Sequence, residues 1–159
     1  MIVEPLADQI IRKVKPAAEL YHRLILVVAP AGAGKTTVLR DVRDRIGASL
    51  VNVNLALSRR MLELTERQRG LQLRRLLEEI IFDHDEEIIL LDNIEIIFDP
   101  GLHQDPLRLL QGISRNKTVV AAWSGAIVEE FLTYAAPDHA EYRRYPMHDC
   151  LVVSPRGTT

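Results

Sequence analysis

LILVVAPAGAGKTT, residues 24–37, is the stretch that decides the fold of this chain. Its first six residues are apolar and are followed by Pro30, a pattern typical of a strand that is buried on both faces. A glycine-rich turn comes next, and apolar residues at helical spacing continue over residues 36–46, with Gly47 at the position of a C-terminal cap. The sequence therefore predicts a buried strand, a glycine loop and a helix in direct succession.

The glycine loop, residues 29–36, reads APAGAGKT and fits the phosphate-binding pattern, although Ala29 stands in the first glycine position. Such a string can occur by chance in an unrelated sequence. Here, however, it follows a predicted buried strand and opens a predicted helix, which is the context that phosphate binding needs. We expect backbone N–H groups to ring the β-phosphate of ATP, Lys35 to reach its β- and γ-phosphates, and the Thr36 hydroxyl to bind Mg²⁺. Thr37 is expected to pack or to cap the helix. The predicted nucleotide-binding residues are Ala29, Pro30, Ala31, Gly32, Ala33, Gly34, Lys35, Thr36 and Thr37.

An acidic partner for the magnesium ion is expected at the end of a neighbouring strand, and IILLD at residues 88–92 supplies Asp92. Asn93 follows, where many ATPases of this layout carry a glutamate that deprotonates the attacking water, and an amide cannot accept that proton. Glu95 is the nearest acid. It acts as the base if the chain turns back over the phosphate, and otherwise it is an acid on the rim. Hydrolysis is therefore expected to be slow or to be completed by another subunit.

Four further residues are candidates for contact with the γ-phosphate. Ser124 ends a predicted strand that is expected beside the first one, so its hydroxyl can touch the γ-phosphate or the attacking water, although a helix N-cap explains it equally well. Arg115, Arg143 and Arg144 lie at an element end or in a loop, where an arginine either reaches the γ-phosphate of a neighbouring subunit or faces solvent. A site that a second subunit completes favours a homo-oligomer.

The rest of the chain alternates between strand and helix patterns. This alternation predicts an α/β fold, a three-layer P-loop NTPase core whose five-stranded parallel sheet is covered by helices on both faces. A single domain is expected over residues 1–159, with an N-terminal helix at 1–20, the core at 24–153 and a tail at 154–159. Strands are predicted at 24–29, 50–54, 86–92, 118–123 and 150–153, and helices at 6–18, 36–46, from 58 onward, around 73–81, at 105–113 and at 125–136, with a polar break at 65–70.

The composition is that of an ordinary soluble globular chain. Hydrophobic residues make up 47% of the 159 residues, and the formal net charge is -2, so bulk electrostatics gives no argument for nucleic-acid binding. The longest apolar runs are too short to span a bilayer and the N-terminus lacks a signal-peptide pattern, so we expect no membrane association and a cytoplasmic location. The single cysteine, Cys150, is expected to be buried and inert.

The phosphate loop, Asp92 within LDN, the polar residue that ends the fourth strand and the arginines before the fifth resemble the AAA+ ATPase core. The chain departs from that pattern at Asn93, and it stops at Thr159 where the family's helical lid would follow, so an AAA+-like core without the lid is expected. More narrowly, YHRLILVVAPAGAGKTT, NVNLALSRRML, LLDNIEIIFDP and VVAAWSG resemble BrxF, the family of small P-loop proteins of type 3 BREX phage-defence systems. That resemblance implies a bacterial antiviral role beside a methyltransferase and other BREX components, with ATP-dependent assembly or remodelling.

Two other functions stay open. A binding switch that holds ATP, scarcely hydrolyses it and recruits partner proteins is favoured by Asn93. A small-molecule kinase would close an arginine-rich lid over the phosphates, and residues 59–75 carry such arginines, although the interleaved glutamates also fit a solvated helix face. The same arginines can contact DNA phosphates in an oligomer, which makes DNA a further candidate partner.

Overall fold

A computed structural model describes residues 4–135, 139–146, 151–155 and 157–158. No helix in these ranges is both long and apolar enough to cross a membrane. The helices are α1 Leu6–Ala17, α2 Lys35–Ile46, α3 Val53–Met61, α4 Glu66–Phe82 and α5 Pro106–Ile113, with 3₁₀ turns at Glu95–Phe98 and Pro100–Leu102. The strands are β1 Leu24–Ala29, β2 Ser49–Asn52, β3 Ile88–Asp92, β4 Thr118–Val128, β5 Phe131–Tyr134, β6 Arg143–Pro146, β7 Leu151–Ser154 and β8 Gly157–Thr158.

The centre of the sheet is five parallel strands in the order β2-β3-β4-β1-β7. The predicted five-stranded parallel core is therefore confirmed. Three short strands extend it with antiparallel pairing: β8 pairs with β7, β5 pairs with the outer half of β4, and β6 pairs with β5. The fifth predicted strand corresponds to β7, Leu151–Ser154, and Cys150 lies outside the described residues.

Helices cover both faces of the sheet, so the predicted three layers are confirmed. The side chains of β1 alternate between two apolar clusters, as successive residues of a strand must. Leu24, Leu26 and Val28 pack into the cluster formed with α3, α4 and α5, whereas Ile25 and Val27 pack into the cluster formed with α1 and α2. All of β1 is buried, which is why its sequence carries an uninterrupted apolar run.

The helix predicted at residues 125–136 is wrong, because the chain forms an antiparallel hairpin there. β4 runs on to Val128, reverses at Glu129 and Glu130, whose φ angles are 49° and 69°, and returns as β5. A two-residue turn with both φ angles positive is the turn that joins closely paired strands. The apolar residues whose spacing fitted a helix face each other across the hairpin, Ile127 opposite Leu132 and Val128 opposite Phe131.

Contacts between residues distant from the turn hold this hairpin in place. The indole N–H of Trp123 donates to the Thr133 carbonyl oxygen at 3.0 Å. Gly125 lies directly under β5, and a Cβ atom at this position would overlap that same carbonyl oxygen. The Tyr134 ring stacks on Phe98 with a centroid distance of 3.5 Å and an interplanar angle of 8°. Local spacing along the chain carries none of this information.

Two smaller boundaries also differ from the prediction. The second strand ends at Asn52 rather than at residue 54, because the Asn52 side chain accepts from the Leu55 N–H at 3.1 Å and thereby starts α3. The polar break predicted at residues 65–70 is wrong beyond Thr65. Thr65 and Gln68 form a capping box that starts α4, so Gly70 lies within the helix, where α4 approaches the Leu102 carbonyl closely.

Candidate nucleotide-binding site

A cleft of about 450 Å³ opens where β1 and β3 end at the same edge of the sheet, beside Ser124 of β4. This is the edge at which parallel α/β sheets place their ligand sites. Strand register brings Ser124 beside Ala29, the first residue of the phosphate loop, while Asp92 ends the next strand along. We call this space the nucleotide cleft. Its described lining residues are Ala31, Gly32, Gly34, Lys35, Thr36, Asp92, Asn93, Glu95, Ala122 and Ser124.

The phosphate loop requires its glycines for backbone conformation rather than for space. Gly32 and Gly34 have φ angles of 79° and 86°, in the left-handed region, and an added Cβ atom would meet nothing within 4 Å at either position. α2 begins directly after Gly34, so its N-terminal N–H groups and the positive end of its dipole face the nucleotide cleft. Residues 31–34 are exposed. The loop therefore presents backbone donors to an anion.

Lys35 is buried at the base of the nucleotide cleft, and 8% of its surface is exposed. Its ammonium donates to the carbonyl oxygens of Ala29 at 2.8 Å and Pro30 at 2.7 Å. Burial lowers the pKa of Lys35, and the nearby carboxylates of Glu95 and Asp92 oppose that effect. A poorly solvated cation of this kind gains when a phosphate oxygen replaces a neutral carbonyl as its partner.

Thr36 and Asp92 meet across the nucleotide cleft. The Thr36 hydroxyl donates to Oδ2 of Asp92 at 2.5 Å, and the backbone N–H of Asn93 donates to the other carboxylate oxygen at 3.0 Å. Both side-chain oxygens are hard ligands that suit Mg²⁺. Within the described ranges no group of three His, Cys, Asp or Glu side chains could hold a metal on its own. This donor set fits magnesium that takes its remaining ligands from phosphates and water.

Asn93 and Glu95 follow the end of β3, and both line the nucleotide cleft. Asn93 has a φ of 52°, a left-handed conformation that asparagine tolerates better than most residues, so the chain turns sharply as soon as β3 ends. That turn places Glu95 at the start of a 3₁₀ helix, where its side chain lines the nucleotide cleft together with Lys35 and Asp92. Of the two expectations for Glu95, the structure has the turn back into the cleft.

Asn54 supports this turn and was missed by the sequence analysis. Its side-chain oxygen accepts from the Ile96 N–H at 2.9 Å, its side-chain amide lies 3.5 Å from the Glu95 carboxylate, and its backbone N–H donates to the Asn93 carbonyl at 2.8 Å. One residue at the start of α3 therefore fixes both ends of the turn. The available signal was the NVN stretch, in which a second asparagine lies two residues after the strand ends at Asn52.

The remaining predicted site residues lie in different places. Ser124 is half-buried and lines the nucleotide cleft, whereas Thr37 is exposed on the first turn of α2. Arg115 precedes β4, at the opposite edge of the sheet, and its guanidinium lies over the Tyr21 ring at 4.5 Å. Two arginines lie on β6, where Arg143 donates to the Tyr142 carbonyl oxygen at 3.1 Å and Arg144 covers the Phe131 ring at 3.6 Å. No arginine among the described residues lines the nucleotide cleft.

Comparisons with known proteins give a family match and a similarity to a solved structure. The family described as "ATPase family associated with various cellular activities (AAA)" matches residues 25–120, more than half of the chain, from β1 into β4. A solved structure described as a DNA replication initiation factor is similar with a TM-score of 0.43 and 14% identity, over 77% of this chain and 39% of that one. This chain thus spans well under half the length of that protein. No curated protein matches the sequence.

Proposed function

This chain belongs to the family of ATPases associated with various cellular activities, and from that premise we propose that the nucleotide cleft binds ATP with Mg²⁺ and hydrolyses it. The observation that carries the proposal is the convergence of Lys35, Thr36 and Asp92 at one end of a glycine loop, with the Thr36 hydroxyl 2.5 Å from the Asp92 carboxylate. Bound Mg²⁺ would offset the negative charge that develops on the phosphates during transfer.

The residues of the cleft take the following roles in this proposal. Backbone N–H groups of the loop and Lys35 hold the phosphates, and Thr36 and Asp92 hold the metal ion. Glu95 accepts the proton of the attacking water, since it is a carboxylate on the cleft wall and Asn93 is an amide that serves the turn. Ser124 lies beside the loop, where its hydroxyl can position that water.

Nucleotide binding is tested with a fluorescent ATP analogue in the presence of Mg²⁺. The wild type should bind saturably, and Lys35→Ala should weaken binding roughly a hundredfold because a desolvated charge contact to the phosphates is lost. Lys15→Ala is the matched control, since Lys15 is exposed on the last turn of α1. If both variants bind as tightly as the wild type, the proposed site is wrong.

We further propose that the working form is a nucleotide-dependent homo-oligomer. Lys35 is the one basic side chain among the described residues that lines the cleft, so Arg115, Arg143 or Arg144 can reach a γ-phosphate only from a neighbouring subunit. Light scattering with and without a slowly hydrolysed ATP analogue should detect assembly, and phosphate release per subunit should fall on dilution. A monomer whose turnover is independent of concentration would contradict the shared site.

A nucleotide switch with little intrinsic hydrolysis is the second candidate, because the position directly after Asp92 holds an amide. In that case ATP binding changes partner affinity without rapid turnover. Rapid multiple turnover by the isolated protein would exclude the switch. A bound nucleotide that persists unhydrolysed over many minutes would exclude the efficient ATPase.

The resemblance of LLDNIEIIFDP and VVAAWSG to BrxF supports a place for this ATPase in a BREX phage-defence system, beside its other components. The first stretch covers the end of β3 and the turn after it. The second, residues 119–125, lies within β4 and ends where its pairing with β5 begins. Phage resistance of a BREX-carrying bacterium that lacks this chain should return with the wild type and not with Lys35→Ala. Equal rescue by both would contradict an ATP-dependent role.

Contact with DNA would depend on the arginines of α3 and α4. Arg60, Arg74 and Arg75 already pair with carboxylates at 3.0, 3.0 and 3.4 Å, and no arginine of these helices lines the nucleotide cleft. The pairing favours the solvated helix face over a kinase lid. We therefore expect weak DNA binding that falls steeply with salt, and an affinity unchanged from low to moderate salt would contradict phosphate contact.

A further inference from the structure

A second cavity of about 550 Å³ adjoins the nucleotide cleft on the side of the hairpin. Ala31, Glu95 and Ser124 line both spaces. Pro30, whose carbonyl oxygen accepts from the Lys35 ammonium at 2.7 Å, also lines this cavity, so the cavity lies beside the group that we expect to hold the terminal phosphates. The hairpin forms the opposite wall, so we call this space the hairpin cavity.

Tyr134 brings a polar group to the wall of the hairpin cavity. The residue is 6% exposed and lines the cavity, and its hydroxyl forms no hydrogen bond with another of the described residues. Burial, and then the carboxylates of Glu95 and Glu141, raise the pKa of Tyr134 to about 12. The phenol is therefore neutral at physiological pH. Because Tyr134 lines the hairpin cavity, a ligand there can hydrogen-bond to its hydroxyl in place of water.

The remaining walls combine negative charge with an apolar surface. Glu95 and Glu141 supply carboxylates, and no Lys or Arg of the described chain lines the cavity. The histidine in the wall, His139, accepts from the Glu141 backbone N–H through its Nδ1 atom at 3.0 Å. Pro30, Ala126, Ala135 and the Tyr134 ring form apolar surface. Carboxylate acceptors beside apolar surface suit a ligand that carries a cationic group on an aliphatic chain, such as an arginine or lysine side chain.

We propose that the hairpin cavity binds a cationic side chain of another polypeptide, with its guanidinium or ammonium group between Glu95, Glu141 and the Tyr134 hydroxyl. The proposal rests on the proposed nucleotide site for its consequence, which is a coupling between the two spaces. Glu95 belongs to both walls, and a γ-phosphate adds negative charge beside the cation. A bound ATP should therefore strengthen binding of the cation more than ADP does, and the cation should strengthen binding of ATP by the same factor.

The single tryptophan of the chain gives a direct readout. Trp123 is fully buried, and its ring centroid lies 6.0 Å from that of Tyr134. Nα-acetyl-argininamide, which carries one guanidinium on a peptide-like stem, serves as the probe. Its titration should change Trp123 fluorescence saturably, and the affinity should rise about threefold or more from ADP to a slowly hydrolysed ATP analogue.

Two controls separate recognition of charge from non-specific effects. Nα-acetyl-citrullinamide has the same shape without the charge and should not bind. Glu141→Gln should weaken the arginine probe about tenfold, because one charge-assisted hydrogen bond loses its charge. Glu130→Gln, at the exposed tip of the hairpin and outside the cavity, should leave it unchanged. Equal binding of both probes, or no effect of Glu141→Gln, would overturn the proposal.

The same titrations distinguish this inference from the nucleotide site. If the fluorescent ATP analogue binds and the arginine probe does not, the hairpin cavity is refuted while the nucleotide site stands. If the arginine probe binds and no nucleotide does, the cavity is supported and the coupling is refuted. Light scattering identifies the donor: dissociation of an ATP-induced oligomer by the probe indicates a second copy of this chain, and an unaffected mass indicates a different protein.

Discussion

β1 ends at Ala29 beside Ser124 of the neighbouring strand β4, and the segments that follow these two residues are specified in different ways. After β1 the chain enters the phosphate loop, whose shape follows from glycines at left-handed φ angles and from a helix that starts at once. After residue 123 the chain stays extended and becomes the hairpin, whose shape depends on contacts from Trp123 to Thr133 and from Tyr134 to Phe98. The first segment is specified locally and the second by tertiary contacts.

This difference separates two kinds of function. The phosphate loop offers backbone N–H donors that suit the phosphates of any nucleoside triphosphate, and a short sequence motif predicts it. The hairpin stands where a helix was expected, and with Glu95 it lines the hairpin cavity. Nucleotide binding should therefore depend on the loop, and the response to partners on the hairpin. Four substitutions test this division.

The largest effect is expected at Glu95, which lies between the two segments. Glu95→Gln should lower kcat for ATP hydrolysis about a thousandfold while the Kd for ATP changes little, because a neutral amide cannot take up the proton of the attacking water. Steady-state phosphate release and equilibrium binding measure the two quantities. The companion variant Asn93→Gly keeps the left-handed turn and removes the side chain, so it should retain turnover. Loss of turnover in Asn93→Gly alone would reverse the two roles.

A substitution at Gly125 should separate the hairpin from the rest of the fold. Gly125→Ala should lower the free energy of unfolding by about 3 kcal/mol, because its Cβ atom would overlap the Thr133 carbonyl oxygen. Gly112→Ala is the control: its Cβ meets the mobile guanidinium of Arg74 at 2.9 Å, within α5, where alanine is the better helix former. Urea unfolding measures both. Equal stability of the two variants would show that the hairpin is not held as described.

A smaller effect is expected at Asn54, which ties α3 to the turn after β3. Asn54→Ala should reduce kcat about tenfold and the free energy of unfolding by about 1 kcal/mol, since it removes a hydrogen bond to the Ile96 N–H and the neighbour of the Glu95 carboxylate. Asn52→Ala should cost a similar free energy by removing the cap of α3, with kcat unchanged. Parallel losses of kcat in the two variants would mean that Asn54 acts through stability alone.

The smallest effect concerns pH and Tyr134. The pKa of this phenol is raised from 10.0 to about 12, so folding favours its protonated form. Its contribution is complete below pH 10 and is lost as pH rises toward about 12, because the unfolded chain ionises first. Tyr134→Phe should therefore lose less stability across that window than the wild type does. Urea unfolding at a series of pH values across this window measures the slope for both proteins. A steeper slope in Tyr134→Phe would contradict the assignment.

Sequence patterns were sufficient where the determinant lies within a few residues. The β1 run and the Gly32 and Gly34 turn are of this type, and each is found where it was predicted. They were also sufficient for the five-stranded parallel core, because alternation of strands and helices permits few other topologies.

Patterns were insufficient where distant residues decide. The spacing of Ile127, Val128, Phe131 and Leu132 satisfies a helix face and a hairpin equally, and only Trp123, Gly125 and Phe98 make the choice. Glu95 was ambiguous for a related reason, since its direction depends on the left-handed Asn93 and on Asn54 from another strand end. No sequence pattern gave a reason to place Tyr134 beside Glu95, because its segment was assigned to a helix.

The most direct test of the account is a crystal structure with Mg²⁺ and a slowly hydrolysed ATP analogue. We expect the triphosphate along residues 32–37, the Lys35 ammonium moved from the Ala29 and Pro30 carbonyls to phosphate oxygens, and the metal ion between Thr36 and Asp92. The Glu95 carboxylate should then face the γ-phosphate, at the boundary with the hairpin cavity. A nucleotide bound elsewhere, or a Glu95 side chain directed away from the γ-phosphate, would contradict the account.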